Sequence, residues 1–252
     1  MYPNIGFIDS YSLMIFIGMI FVLLFVEIYG KKKDLNRLLV SYIEINGIIA
    51  VIVGLFGAVL FQNLYDYIEN PTSYKWSWSM TFYGGLIFGV LSFLLGYSLI
   101  IKRKFGPCLK DHILSFAPAC VAIAQGFGRI GCFLAGCCFG KATTSWIGIH
   151  FPNVPGKVIP TNLMEAIFMI ILGIILFILA LEKGKFAAPV YLFSYSVWRF
   201  VIEFFRGDHR GQLIGNISPS QFWSIILFAL GIGYVIYLII DDKRVSLLRD
   251  NK

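Results

Sequence analysis

Long apolar runs alternate with short polar connectors along the whole chain. The runs cover about 11–29, 40–62, 80–101, 112–138, 161–181, 187–205 and 219–240. A helix needs roughly 20 mostly apolar residues to cross a hydrocarbon core of about 30 Å. The pattern therefore predicts seven transmembrane helices, an all-α polytopic membrane protein. The fourth run is long and glycine-rich, so a broken or tilted helix is expected there. No internal repeat, low-complexity segment or long linker interrupts the pattern, and a single membrane domain over 1–252 is expected. Composition agrees: 58% of the 252 residues are hydrophobic and 14% are charged. A soluble domain is nearer half apolar and a quarter charged. The first run lacks a basic leader and a small-residue cleavage site and ends in Lys31, Lys32 and Lys33. It reads as a retained helix, not a cleaved signal.

Charge orients the spans. The net charge is +7, but the cations are unevenly placed. The connectors after runs one, three and five and the C-terminal tail hold fourteen Lys and Arg, and the opposite side holds five. Cytoplasmic loops carry the excess of Lys and Arg. The N-terminus is therefore expected outside and the C-terminus in the cytoplasm. The basic balance reflects anchoring to anionic lipid, and no nucleic-acid partner is expected.

Two arginines escape the connectors. Arg129 lies in GFGRIGCFLAGCCFG, residues 126–140, about nine residues before the outer end of the fourth run. That is roughly 13 Å deep at about 1.5 Å per residue. Arginine at the centre of a span costs about 2.5–3.5 kcal/mol on insertion scales, so it needs a partner or a wet cavity. The glycines at 126, 128, 131 and 136 serve either close helix packing or space for a ligand against the backbone. In SYSVWRFVIEFFRGDHRG, residues 194–211, Tyr195, Arg199, Glu203 and Arg206 are spaced four, four and three, which places all four on one helix face. Arg199 and Glu203 would pair. Two membrane arginines with one evident acid between them leave a positive charge. A phosphate would complete the set, because a guanidinium fork donates two parallel hydrogen bonds.

Tyr11, Tyr83 and Glu165 fall at the outer ends of runs one, three and five. A tyrosine there is ordinarily an interfacial anchor. Together with Arg129, Arg199 and Glu203, however, these residues converge on the outer half from five spans. Cys132, Cys137 and Cys138 show no C-x-x-C spacing and no nearby histidine. Free cysteine usually packs as a small hydrophobe, and no metal or cofactor is expected. His112 falls on the inner side, His150 and His209 in outer loops.

These stretches, TFYGGLIFGV, QGFGRIGCFLAG, PTNLMEA and YSVWRFVIEFFRGD, resemble the prolipoprotein diacylglyceryl transferases over nearly the full length. The resemblance implies an enzyme of the bacterial cytoplasmic (inner) membrane. It would move a diacylglyceryl group from phosphatidylglycerol to the lipobox cysteine in the signal peptide of a prolipoprotein, releasing glycerol phosphate, with no cofactor. It implies that Arg129 and Arg199 match the essential arginines. Tyr11, Tyr195, Glu203 and Arg206 match other polar positions, and Gly140 matches a functional glycine. Gly84, Gly85, Gly128, Gly131 and Glu165 join the substrate-binding set. Departures are visible. The family usually has His-Gly-Gly where Tyr83-Gly84-Gly85 stand. It usually has Gly-Asn-Phe-x-Asn-Gly-Glu where Gly131-Cys132-Phe133-Leu134-Ala135-Gly136-Cys137 stand, and a tyrosine where Met164 stands.

The chemistry expected is thiol alkylation. An unperturbed cysteine has a pKa of about 8.5, and nearby positive charge favours its thiolate. Arg129 and Arg199 would stabilise charge building on the departing phosphate. Tyr83, Glu203 and His150 are all candidates for the base. The alternatives are a paralogue acting on another lipid or acceptor, and a non-enzymatic anionic-lipid binder or transporter.

Overall fold

A computed structural model describes residues 3–5, 7–69, 71–108, 112–152, 154–207 and 218–250. His209 and Arg210 lie outside the described residues. Among these residues six stretches are long and apolar enough to cross a membrane: Ser10–Lys32, Arg37–Ile68, Gly84–Phe105, Leu114–Ala135, Thr161–Phe205 and Ser220–Asp241. The fifth carries two helices joined by a 3-10 turn at Gly184–Phe186. The chain is an all-α polytopic membrane protein, with strands confined to two short hairpins among the described residues.

The helices are α1 (Ser10–Lys32), α2 (Arg37–Glu69), α3 (Phe82–Gly96), α4 (Lys102–Phe105), α5 (Leu114–Ala135), α6 (Thr161–Lys183), α7 (Ala187–Ile202) and α8 (Pro219–Asp250). A π-helical turn, Tyr97–Ile101, joins α3 to α4. The hairpins are β1 (Asn4–Ile5) with β2 (Ile8–Asp9), and β3 (Ile149–His150) with β4 (Lys157–Val158). Apolar side chains cover much of the outer surface, Ile52, Leu95, Ile171 and Ile240 among them. In a bilayer that surface faces acyl chains, not water.

The chain divides into two compact units. One comprises Met1–Phe25 and Leu109–Lys252, the other Val26–Cys108. The second is built on α2 and α3, which approach at backbone level. A Cβ on Gly84 would lie 2.4 Å from Phe61 Cβ and 2.6 Å from the Gly57 carbonyl oxygen. A Cβ on Gly85 would meet Ala58 Cβ at 3.4 Å. Small residues let membrane helices approach this closely. Asn46 donates to the Phe93 carbonyl at 3.0 Å. Asn63 donates to the Ser77 carbonyl and accepts from Ser77 N–H, tying the α2–α3 connector down.

The first unit packs α5 on α6 and α7 on α8. Its core holds Ala119, Ala122, Met169, Leu172, Leu176, Ala187 and Tyr195, flanked by Phe25, Phe168 and Phe177. Alanine opposite Met and Leu lets the α5 and α6 backbones come close. Gly126 serves the same contact, since its Cβ would lie 2.7 Å from Ile170 Cγ1.

Candidate functional site

The first unit brings together most of the residues that the sequence singles out. Arg129 projects from α5 and Glu165 from the second turn of α6. Their Nε and Oε2 atoms are 3.0 Å apart, with 20% and 3% of the side chains exposed. This corrects the charge count made from the sequence. The acid facing Arg129 is Glu165, so two arginines meet two carboxylates. Membrane depth explains the pairing, because a lone buried carboxylate or guanidinium is far costlier than the pair.

The second pair is Arg199 with Glu203, Nη2 to Oε2 at 3.0 Å, with side chains each 8% exposed. Arg199 Nη2 also donates to Ser220 Oγ at 2.6 Å. Ser218 Oγ donates to Glu203 Oε1 at 2.9 Å. Both serines belong to the start of α8. Ser218 N–H donates to Gln221 Oε1 at 3.1 Å and Gln221 N–H donates to Ser218 Oγ at 3.2 Å. That reciprocal bond is a capping box, with Pro219 at the first helical position. The sequence reading missed these serines, although Ser-Pro-Ser-Gln carries the signal openly. Arg199 Nη1 is buried with no hydrogen-bond partner among the described residues.

Tyr195 is 9% exposed and feels Glu165, Arg199 and Arg129 together, so it stands within electrostatic reach of both pairs. Its ring stacks on Tyr191 at 5.6 Å, and Tyr191 donates to Gln125 Oε1 at 2.9 Å. Neither Tyr191 nor Gln125 was singled out in the sequence, where each reads as part of an apolar run.

The helical spacing of four, four and three fails at its end. The α-helix stops at Ile202, Glu203–Phe205 form a 3-10 turn, and Arg206 is extended at φ −74°, ψ 145°. Arg206 therefore leaves the helix face and instead bridges, strand-like, to Gly140. It is nevertheless buried, at 5% exposure.

Gly140 sits where three chain segments meet. Its N–H donates to the Ile159 carbonyl at 2.7 Å, and Lys141 N–H donates to the Phe205 carbonyl at 2.8 Å. A Cβ at 140 would fall 2.5 Å from the Phe205 oxygen and 2.8 Å from the Ile159 oxygen. Gly131 presses on the N-terminal helix, its Cβ position being 2.9 Å from Tyr11 Cδ2. Tyr11 is consequently held beside α5. Gly128 differs, since a Cβ there would meet nothing within 4 Å among the described residues. Thus the α5 glycines divide: Gly126 and Gly131 pack, Gly128 faces open space, and Gly136 ends the helix.

Gly136, at φ 76°, is the reason α5 stops at Ala135 and not near 138. Cys137 N–H donates to the Cys132 carbonyl at 3.0 Å and Gly136 N–H to the Phe133 carbonyl at 3.2 Å. This is a Schellman ending, which needs a left-handed residue at the first position past the helix. The reversal folds Cys137 and Cys138 back over Cys132. The three Sγ atoms lie within 4.8 Å of one another. Cys132 is buried, Cys138 half-buried and Cys137 exposed. Hydrogen bonds from Cys132 and Cys137, with help from Arg129 and Arg206, pull the Cys138 thiol well below its ordinary value. Helix α6 fixes the loop. Asn162 Nδ2 donates to the Cys137 carbonyl at 2.7 Å and Thr161 Oγ1 to the Cys138 carbonyl at 3.2 Å. Asn162 is fully buried, so Asn162→Ala strands the Cys137 carbonyl. A stability loss of about 1–3 kcal/mol is expected, read by denaturant unfolding in detergent. A loss of a few tenths would refute the pinning role.

In the second unit Tyr83 falls in the first turn of α3, its side chain outside the described residues. Gly84 and Gly85 are spent on the α2 contact. His150 is exposed on β3.

The family model for prolipoprotein diacylglyceryl transferase matches residues 4–237. The phosphatidylglycerol–prolipoprotein diacylglyceryl transferase of Clostridium tetani is 34% identical over 233 residues, covering 89% of this chain and 91% of that protein. Phosphatidylglycerol–prolipoprotein diacylglyceryl transferase 2 of Clostridium perfringens is 35% identical over 241 residues, 89% of each chain. The Geobacter sulfurreducens enzyme of the same name is 33% identical over 196 residues, 72% of this chain and 71% of that one. With its apolar helices and paired membrane arginines, the chain belongs to the prolipoprotein diacylglyceryl transferase family.

Proposed function

We propose that this protein transfers the diacylglyceryl group of phosphatidylglycerol to the lipobox cysteine of a prolipoprotein, releasing glycerol phosphate. The observation that carries the reading is the pair of arginines at membrane depth in one unit, each positioned by its own carboxylate. Both are costly there, and both suit a phosphodiester headgroup. The buried Arg199 Nη1 is a donor still unspent among the described residues.

In this reading Arg129 and Arg199 bind the phosphate and stabilise the charge gained as the carbon–oxygen bond breaks. Glu165 and Glu203 orient them. Tyr11, Tyr195, Arg206, Gly131 and Gly140 shape the surrounding wall, and Gly128 leaves room for the lipid. For Tyr83, Gly84 and Gly85 the assignment rests on the sequence motif alone. The seven apolar runs support seven spans, and the lysine and arginine bias supports an external N-terminus and a cytoplasmic C-terminus. The bacterial origin of the relatives supports the inner membrane, with the reaction at its outer leaflet.

The test is headgroup release. Phosphatidylglycerol labelled in its glycerol headgroup should yield glycerol phosphate only when a lipobox peptide is present. A peptide with serine for the cysteine should release none. Release that is independent of the peptide thiol would refute transfer to cysteine.

Gly128→Ala is a finer probe. Alanine is the better helix former, and nothing among the described residues crowds the position. Thermal stability should hold or rise slightly, while KM for phosphatidylglycerol rises several-fold. An unchanged KM would remove Gly128 from the lipid site.

A further inference from the structure

The chain reversal at Gly136 defeats the spacing argument against a metal. C-x-x-C is one way to bring thiols together; a Schellman turn between Cys132 and Cys137–Cys138 is another. Three sulfurs within 4.8 Å of one another form a triangular base. Zinc–sulfur bonds of about 2.3 Å in a tetrahedron place sulfurs about 3.8 Å apart, so a side-chain adjustment of about 1 Å closes the site. Thiolate ligands select zinc and copper(I) over the hard cations. Burial is graded across the triangle, from Cys132 inside to Cys137 exposed. The exposed edge at Cys137 gives a fourth ligand access to the triangle. Three thiolates and a divalent ion carry a net negative charge. The cations that offset it are near, since Arg129 stands one helical turn before Cys132 on α5 and Arg206 pairs with Gly140, two residues beyond Cys138. Asn162 and Thr161 bind the carbonyls of Cys137 and Cys138, which fixes the ligand loop from behind.

We infer that Cys132, Cys137 and Cys138 hold a zinc ion whose fourth ligand is the acceptor cysteine of the substrate peptide. The inference rests on the transferase reading above and supplies what that reading lacks, a route to the thiolate. Glu203 is a poor candidate base, occupied by Arg199 and by Ser218. His150 is exposed on its hairpin, and an unperturbed phenol, with a pKa of about 10, is a poor base. A zinc-bound thiol needs no base, because coordination removes its proton outright. That proton passes to water. The zinc-held sulfur then donates an electron pair to the terminal glyceryl carbon of the lipid. The carbon–oxygen bond to phosphate breaks, and its pair leaves on the phosphate oxygen of glycerol phosphate. Zinc stays divalent throughout. The thioether product is neutral and a weaker ligand, so it departs and frees the fourth position.

The experiment uses the full chain in detergent. Zinc content is measured on the wild type and on Cys137→Ser and Cys138→Ser. X-ray absorption then counts sulfur neighbours with and without a lipobox peptide. Expected are stoichiometric zinc, lost in both variants, and a sulfur count that rises from three to four with the cysteine peptide but not with its serine analogue. Chelator-stripped protein should lose transfer by about 100- to 10,000-fold, the range of a proton-transfer catalyst, and recover it with zinc. Cobalt substituted into the wild type gives a second readout, a thiolate charge-transfer band that the cysteine peptide perturbs. Folded, active protein that binds no zinc, or that holds these cysteines as a disulfide, would overturn the inference and leave the transferase reading intact. Zinc with an unchanged sulfur count and full activity after stripping would also overturn it. A fourth sulfur from the peptide with no lipid transferred would uphold the site and sink the transferase reading instead.

Discussion

Arg129→Ala should abolish diacylglyceryl transfer and also weaken the fold, and the two losses can be separated. The rate loss follows from removing a cation aimed at a developing phosphate charge, on the order of 100- to 1000-fold for one such donor. The stability loss has another source. Glu165 is 3% exposed and would keep a buried charge without its partner, which costs about 3–5 kcal/mol. Arg129→Ala combined with Glu165→Gln removes the stranded charge. The double variant should recover most of the unfolding free energy in detergent and none of the transfer. Arg129→Lys keeps the charge but not the planar fork, so it should fall between. Recovery of activity in the double variant would show that Arg129 is only a structural partner of Glu165.

Gly140→Ala should be nearly as damaging, for reasons of backbone packing. The added carbon would stand 2.5 Å from the Phe205 oxygen and 2.8 Å from the Ile159 oxygen. Both are main-chain atoms, with no rotamer to move away. The segment must shift, and it carries the bridge to Arg206 and the loop after Cys138. Overpacking of this kind costs about 1–3 kcal/mol. Transfer should fall further than stability, because Arg206 and the cysteine loop are displaced together. Unfolding in detergent and transfer kinetics on the same preparation give the comparison. Wild-type rates in Gly140→Ala would show that the convergence of the three segments is irrelevant to the site.

Much of the helical layout is legible in hydropathy, because each apolar run must bury its backbone polar groups within itself in lipid. The run expected at 161–181 is α6 at Thr161–Lys183, and that at 219–240 lies within α8. Edges slip where backbone geometry, not hydropathy, decides. Gly136 ends α5 by a left-handed turn inside an apolar stretch, and Arg206 is pulled off the α7 face by pairing with Gly140. Both outcomes depend on tertiary partners that one-dimensional spacing does not contain. The Arg129–Glu165 pair joins residues thirty-six positions apart on different helices, so no local pattern announces it. Cys132, Cys137 and Cys138 look like unrelated small hydrophobes until the Schellman turn stacks them. The Ser218–Gln221 capping box is readable in Ser-Pro-Ser-Gln, whereas its serines' contacts to Arg199 and Glu203 depend on how α8 packs on α7.

Intact mass spectrometry of the acceptor tests lipid transfer to a thiol most directly. Folded wild-type protein, phosphatidylglycerol and a lipobox peptide should give a peptide heavier by one diacylglyceryl group on its cysteine. The Arg129→Ala, Glu165→Gln double variant, shown to be folded, should give none. An unmodified peptide from folded wild-type protein, under conditions where another family member modifies it, would contradict the account.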